Sequence, residues 1–517
     1  HTLTTTYKTD LNNDFDLDVL AGVNSRELSY NQMGATSKDQ LVFGLLDHTN
    51  FVTHDIVNES GADMDYLIKS QSIGAFATAT LGYRNYAYLV VGGRNSFTST
   101  LEAENRSVFY PNISGSFIAT EAFDFLRNKK NINYLKFRLG YSTAANFPSP
   151  YSTRSALNIS TRNFVTNSGA VINTNSIPNF LPNPNLKPEL MAETETGIEG
   201  KFFQSRLSAD ITLYQRVSND QILNRDLDPS TGYTSQQINA GKVTNKGVEA
   251  QLAYKIIRNK DWVWEVTGNW TINNSMVSDI PADLKEIVYA GYTTLGNFAI
   301  NGQPLGIMKG YYYQRHENGQ LLVGAGGDYI ASTTIGIIGN PNPNYRLSGI
   351  NSLTYKSFTF RFQVDYTDGG DMYSSTARSL LARGVTKDTE FDRAAPYILP
   401  GVTADGKPNN IQISATQGYF NNVFGPDQGG IFDATVVRLR DMSLSYALPE
   451  KLLNKTPFGS VSITANGSNL WYYAPNFPKY MHFDPETNGL GVGNGKGLEF
   501  ITGPSARRMG LSVRITF

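Results

Sequence analysis

Arg508-Met-Gly-Leu-Ser-Val-Arg-Ile-Thr-Phe517 ends the sequence, and its reading decides the fold. Met509, Leu511, Val513, Ile515 and Phe517 alternate with Arg508, Gly510, Ser512, Arg514 and Thr516. A period of two makes this a β-strand with one apolar and one polar face. As the edge strand of a soluble sandwich, it needs a second layer over its apolar face. As a barrel wall in a membrane, its apolar face meets lipid, its polar face meets a wet lumen, and the ring of Phe517 joins an aromatic girdle.

Composition bears on that choice. The chain has 517 residues and no composition shift or linker that would divide it, which suits one large closed sheet. Charged residues are 17%, aromatics 12%, with 47 Gly and 29 Tyr, the palette of strands and tight turns. A net charge of −1 gives no electrostatic footprint for nucleic acid. Cysteine is absent, which excludes a disulfide scaffold and thiolate metal sites. No run approaches the roughly twenty apolar residues of a membrane helix. A membrane protein without one must be a barrel, since only a closed sheet then satisfies every backbone group in lipid. The chain opens on His1 with no signal peptide, so it reads as a processed product or a fragment lacking an N-terminal part.

Alternating stretches recur throughout. The spacing predicts about fifteen strands, the clearest being 132–142, 207–214, 248–256, 262–272, 345–355, 358–365 and 508–517. Two-residue links such as Arg84-Asn85, Gln204-Ser205 and Lys356-Ser357 read as hairpin turns. Connections after odd-numbered strands are mostly two to five residues, with two near twelve; nearly all others run from about twenty to nearly seventy. Long connections fall at about 32–69, 147–190, 220–243, 277–344, 373–432 and 473–505, whereas 101–106 is short. Outer-membrane barrels segregate short periplasmic turns from long extracellular loops in this way. If the terminal strand descends to the periplasm, the first strand descends too, and an odd number of strands is missing before it.

Charges obey the same two faces. Arg138, Glu249, Arg361 and Arg514 fall in the lumenal phase of their strands, where no lipid penalty of roughly 2–4 kcal/mol applies. One strand breaks the rule, because Arg438 and Arg440 share a phase with Met442, Leu444 and Tyr446. A β-bulge near Asp441 would restore both faces, or protein covers this strand.

Several segments then carry a resemblance. Residues 93–100 (GRNSFTST, with Gly93 and Arg94), Tyr110-Pro111, 135–146 (LKFRLGYSTAAN) and 181–189 (LPNPNLKPE) resemble TonB-dependent outer-membrane receptors. Residues 245–249 (NKGVE), 302–310 (GQPLGIMKG), 339–343 (GNPNP) and 437–447 (VRLRDMSLSYA), in this order, resemble the SusC-like importers of Bacteroidetes. The resemblance implies an all-β fold: an antiparallel barrel of about 22 strands closed by an N-terminal plug, of which this chain would be the C-terminal two-thirds or so. Fifteen strands here leave an odd number missing, as the parity requires. Gly324–Asp328 (GAGGD) is a poor remnant of the Asp/Asn/Gly-rich segment of many relatives, so no ion site is carried over.

Most motif residues read as architecture. Pro184 and Pro188 fix φ around Asn185 in a rigid loop that leads to Glu189. Gly247 permits a close backbone approach or a bulge beside Glu249. Tyr311, Tyr312 and Tyr313 lie in a very long connection, where aromatics stack on sugar rings or peptide side chains, or pack the loop against a partner. With Asp371 and Tyr373 they are the candidate substrate or lid contacts.

Enzyme chemistry finds no footing. The five histidines are scattered, and only His48 and His54 are near each other, at no metal-motif spacing. Asp14, Asp16 and Asp18 share one strand face, which reads as a solvated lumenal face. No phosphate loop or nucleophile elbow occurs, so neither catalytic residues nor a cofactor is expected. The resemblance implies TonB-dependent import of oligosaccharides or peptides across the outer membrane. A SusD-like surface lipoprotein closes over the long loops, the missing plug couples to TonB-ExbB-ExbD, and the transporter-lipoprotein pair is a candidate dimer. A passive porin, or a barrel anchoring a surface-binding or adhesive complex, are the alternatives.

Overall fold

Fifteen strands follow one another in chain order within the main sheet of the computed structural model. They are β1 (Thr2–Asp10), β2 (Phe15–Gln32), β3 (Tyr66–Tyr83), β4 (Ala87–Thr98), β5 (Ser107–Ile118), β6 (Ile132–Asn146), β7 (Glu189–Phe202) and β8 (Leu207–Asn219). The remainder are β9 (Lys242–Arg258), β10 (Trp262–Ser278), β11 (Tyr345–Tyr355), β12 (Phe358–Asp368), β13 (Val436–Ala447), β14 (Ser460–Tyr473) and β15 (Arg508–Thr516). The structure describes residues 1–517 except 56–63, 65, 127–129, 156, 166–169 and 492, so parts of the connections expected at 32–69, 147–190 and 473–505 lie outside the described residues.

The connection rule holds. Links 11–14, 84–86, 203–206, 259–261 and 356–357 are tight, and 119–131 and 448–459 are moderate. Those after even strands are 33–65, 147–188, 220–241, 279–344, 369–435 and 474–507, with 99–106 the short exception. Several strands outrun the alternating stretches that announce them. β10 continues past Ile272 through Asn273, Asn274 and Ser275, and β9 begins at Lys242 instead of Val248. Outside a bilayer both faces of a strand meet water, so the ladder continues where the hydropathy signal has stopped.

Contacts divide the chain into two units. In the first (His1–Gly115, Tyr141–Ala192 and Ser218–Ala240), β1 to β4 pair antiparallel, with Thr2 opposite Asn24, Phe15 opposite Tyr83 and Ser72 opposite Thr98. Arg84 and Asn85 both take positive φ, 47° and 60°, as a primed hairpin turn demands. The aspartates at the start of β2 are not a ligand cluster. Asp14 holds Arg84 at 2.7 Å, Asp18 meets Lys8 at 2.6 Å, and Asp16 lies over Gly82.

The second unit is Ser116–Gly140, Glu193–Val217 and Gly241–Phe517. Its ladder from β9 to β15 is antiparallel throughout. Exposure along its strands is inverted relative to a soluble sheet. Phe137 and Leu139 are exposed, Leu139 at 60%, while Lys136, Arg138 and Gly140, which alternate with them, are half-buried. Ile211 and Leu213 repeat this against half-buried Asp210 and Thr212. At the short-turn end, rings meet: Trp262 with Tyr355 at 4.2 Å, Phe358 with Tyr446 at 4.5 Å, and Phe458 with Phe517 at 5.5 Å. An outward apolar band bounded by aromatics is the pattern of a wall built for lipid.

Arg440 is a bulge. Gln363 pairs with Asp441 and Val364 with Leu439, so the residue between is extra and the phase reverses there. Met442 and Leu444 are thereby exposed on one face, while Arg438 lands on the other at 1% exposure. Both explanations offered for this strand apply together, since Arg438 is also covered by protein.

Candidate functional site

Three long connections of the second unit fold into a body of their own. Glu286–Gly291, Gly296–Ile300, Ile307–Gly310 and Gly336–Gly339 form a four-stranded antiparallel sheet. Asp371–Ser374 pairs antiparallel with Ile431–Asp433 and parallel with Leu498–Glu499. Leu295, Met308, Ile338, Tyr373 and Leu498 bury one another at the junction, drawing one apolar side chain or more from each connection. The two glycine-proline motifs meet here. Met308 pairs with Gly339, and the amide of Asn342 donates to the carbonyl of Leu305 at 2.9 Å. Gly302 and Gly306, at φ 78° and 93°, turn the first motif where other residues would be strained.

Charged groups fasten this body to the wall. Arg438 forms a buried ion pair with Asp484 and lies over the ring of Tyr472 at 5.3 Å. Arg440 donates to Asp365 at 2.6 Å and grips Glu486 through both terminal nitrogens at 2.8 and 2.7 Å. The two arginines of VRLRD thus clamp the segment 484–486 onto β13. Burial pushes the Asp484 carboxyl up, but hydrogen bonds from Arg438, Ser505 and the Glu486 amide outweigh it and hold it below the usual range. A second anchor is Glu499, fully buried, which accepts from Ser374 Oγ at 2.8 Å, Thr376 Oγ1 at 2.7 Å and Thr502 N–H at 2.6 Å. It ties the Leu498–Glu499 strand to the N-terminus of the helix Ser375–Ala382, whose cap is Ser374. Asp484, Glu486 and Glu499 escaped the sequence reading; the acidic pair two residues apart in Asp-Pro-Glu was the available signal.

Beneath the clamp lies a cavity of about 660 Å³ with Asp371, Arg346, Arg440 and Lys496 in its wall. Asp371 accepts the N–H of Asn340 at 2.7 Å, and burial together with nearby Asp433 raises its carboxyl above the ordinary range against that bond. A smaller cavity of about 280 Å³ is lined by Tyr311, Tyr329, Asn422 and Asp427. The expected contact residues therefore separate. Tyr311 is exposed at the smaller cavity, its N–H donating to Asp427 at 3.0 Å. Tyr312 packs on the loop core beside Gly336. Tyr313 is buried, its hydroxyl donating to the carbonyls of Asn422 and Val423, and burial drives that phenol well above its usual range. Tyr373 is buried as well, its hydroxyl accepting from Arg378 at 3.0 Å. Tyr312, Tyr313 and Tyr373 pack the loop body against itself, where the sequence reading had offered ligand stacking or a partner.

The other motif residues have identifiable neighbours. A Cβ on Gly93 would stand 2.6 Å from the Phe109 ring, and one on Gly247 would meet Ile272 O at 2.4 Å, so both mark close approaches. Arg94 donates to Asn24 at 2.6 Å and Ser96 at 2.8 Å. Between Pro184 and Pro188, Asn185 N–H donates to Asn183 at 3.1 Å and Leu186 is fully buried; Glu189 then accepts Ile222 N–H at 2.7 Å and the Asn146 amide at 2.8 Å. Glu249 lines a third cavity with Arg138, which pairs with Asp210 at 2.7 Å. His48 and His54 share a hydrogen bond to Ser37 Oγ, at 2.6 and 2.8 Å.

Known proteins match this architecture. The family model described as TonB dependent receptor-like, beta-barrel, matches residues 1–470. TonB-dependent receptor P26 of Formosa agariphila is 25% identical over 552 aligned positions, covering 99% of this chain and 52% of that protein. TonB-dependent receptor SusC of Bacteroides thetaiotaomicron is 25% identical over 35% of this chain and 20% of its own. The RagAB peptide transporter superposes with a TM-score of 0.74 at 20% identity, over 100% of this chain and 55% of that one, which is a likeness of fold. The chain spans about half the length of P26, less than the two-thirds expected. With its fifteen ordered strands and inverted exposure, it belongs to the TonB dependent receptor-like β-barrel family of the outer membrane.

Proposed function

We propose that the chain is the wall and loop region of an active importer, which takes oligosaccharides or peptides across the outer membrane with energy from TonB-ExbB-ExbD. Its long connections face the exterior, and a SusD-like surface lipoprotein closes over them. The observation that carries this reading is the loop body itself. Long connections of a barrel left to water need no common core, yet here they share one, clamped to the wall by Arg438 and Arg440. A rigid platform of this kind suits repeated docking of a lid. The family match and the peptide importer of like fold support the same reading. Tyr311 and Asp371, each at a cavity, are the residues we assign to cargo or lid contact.

The test is extraction of the intact transporter from outer membranes, followed by mass spectrometry of co-purifying chains and uptake assays with and without TonB. A near-equimolar lipoprotein and uptake that vanishes without TonB are expected. Uptake indifferent to TonB would instead make the barrel a passive porin, and a barrel that takes up nothing would be a surface anchor.

A further inference from the structure

The 660 Å³ cavity holds three cations, and they differ in what they meet. Arg440 is taken up by Asp365 and Glu486. Arg346 and Lys496 have no such neighbour: among the described residues, neither side chain makes a hydrogen bond or an ion pair. The third carboxylate of the wall, Asp371, bonds the Asn340 amide and faces Asp433.

Both positions are fixed by backbone. Arg346 stands at the long-connection end of β11, paired with Thr271 on one side and Thr367 on the other. Lys496 arrives from the last long connection, its N–H donating to the fully buried Asn297 at 2.9 Å and its carbonyl accepting that side chain's amide at 3.0 Å. The lysine is thus delivered to the cavity by a built contact, not by a loose loop. Both side chains remain open to solvent, and partial loss of water, then the positive charge of Arg346, hold the lysine's ammonium below the usual lysine range. Two like charges brought together without a counterion destabilise one another, and an anion between them relieves this.

We propose that Arg346 and Lys496 form an oxyanion subsite, which takes a carboxylate or sulfate ester carried on a hydrophilic oligomer. The surrounding wall fits that occupant, since Asn269, Thr271 and Thr367 offer an amide and hydroxyls. A guanidinium can grip such a group with two parallel hydrogen bonds, and the ammonium adds a third donor. The inference rests on the importer reading for one point, that the anion belongs to cargo.

Binding is to be measured by calorimetry on the full transporter purified from outer membranes, without TonB or an energy source. The probes are oligogalacturonate, a sulfated oligosaccharide, an aspartate-rich peptide and an uncharged malto-oligosaccharide. At least one acidic probe binds more tightly than the uncharged one, and added salt weakens it. Arg346→Gln and Lys496→Gln each lower that affinity about tenfold, the loss of one charge-assisted bond. Lys496→Arg retains it, and the uncharged probe is unaffected. Which acidic probe binds separates sugar carboxylate, sulfate and peptide as the source. If no acidic probe is preferred, or if both Gln variants keep full affinity, the subsite is overturned. Should Arg346→Gln reduce folded protein, Lys496→Gln on its connection carries the test alone. Failure of the importer reading shows separately, as uptake indifferent to TonB while acidic binding still depends on these two side chains.

Discussion

Wall and loop body in the second unit obey opposite rules. Along the wall, Leu139 is 60% exposed and Arg138 beside it is half-buried; in the loop body, Met308 and Leu498 are fully buried. One sequence thus carries two solvents in its design. Strands that face lipid put their apolar side chains outward and lose nothing, whereas connections that face water must bury theirs, and they do so against one another. Charges follow suit: in β6 and β8 Lys136, Arg138 and Asp210 lie in the half-buried phase, and the loop body pairs or hydrogen-bonds its buried carboxylates Asp484 and Glu499.

The largest test of this contrast lies at the clamp. Asp484→Ala takes from buried Arg438 its closest carboxylate and leaves it Glu486 at 3.4 Å and the Asn469 side-chain oxygen at 3.3 Å, so the cost is about 3 kcal/mol, the low end for a broken buried pair. Limited proteolysis in detergent reads this as new cleavage within 474–507 while the barrel keeps its strand content by circular dichroism. Simultaneous loss of the strands would show that wall and loop body are not separable.

Next comes a change that only lipid would punish. Leu139→Arg, on the outward face of β6, is expected to cost roughly 2–4 kcal/mol if it sits near mid-bilayer, measured by unfolding from lipid vesicles. An exposed leucine in water tolerates arginine with little effect, so an unchanged midpoint would remove the lipid face. Glu499→Gln weakens charge-assisted bonds to Ser374, Thr376 and Thr502 and is expected to cost about 1.5–3 kcal/mol, read as faster hydrogen exchange in the helix Ser375–Ala382.

Acid separates the two regions more gently. Asp484 and Glu499 are held below the usual carboxyl range, in each case by hydrogen bonds that overcome burial. Groups with depressed folded pKa contribute stability fully above their unfolded values and lose it as pH falls through the folded ones. Protease sensitivity of 474–507 is therefore expected to rise below about pH 4, near the unfolded carboxyl values, with strand content unchanged. The smallest effect belongs to the exposed pair Lys8–Asp18, where Lys8→Ala should leave the unfolding midpoint where it was.

Much of the wall was legible because its signal is local. Strand period, turn chemistry at Arg84-Asn85 and the lengths of successive connections require no knowledge of distant residues, and the phase conflict of Arg438 and Arg440 pointed within one residue of the bulge. Strand ends were less legible, since Asn273 to Ser275 extend β10 with no alternation to announce them. The site was the least legible part. Tyr311, Tyr312 and Tyr313 look equivalent in sequence, yet one faces a cavity, one packs on a core and one is buried against Val423. The deciding partners are distant in sequence: Asp427 and Val423 in the connection that follows for Tyr311 and Tyr313, and Gly336 farther along the same connection for Tyr312.

By itself, the sequence determined the strands, the faces they present and the family they resemble, since each follows from periodicity and short motifs within a few residues. Tertiary structure decided the rest: that VRLRD is a clamp for Asp484 and Glu486, that Glu499 is a staple, and that Arg346 meets Lys496 across one cavity. These are pairings between residues far apart in the chain, and no local rule encodes which distant charge a folded loop will bring near.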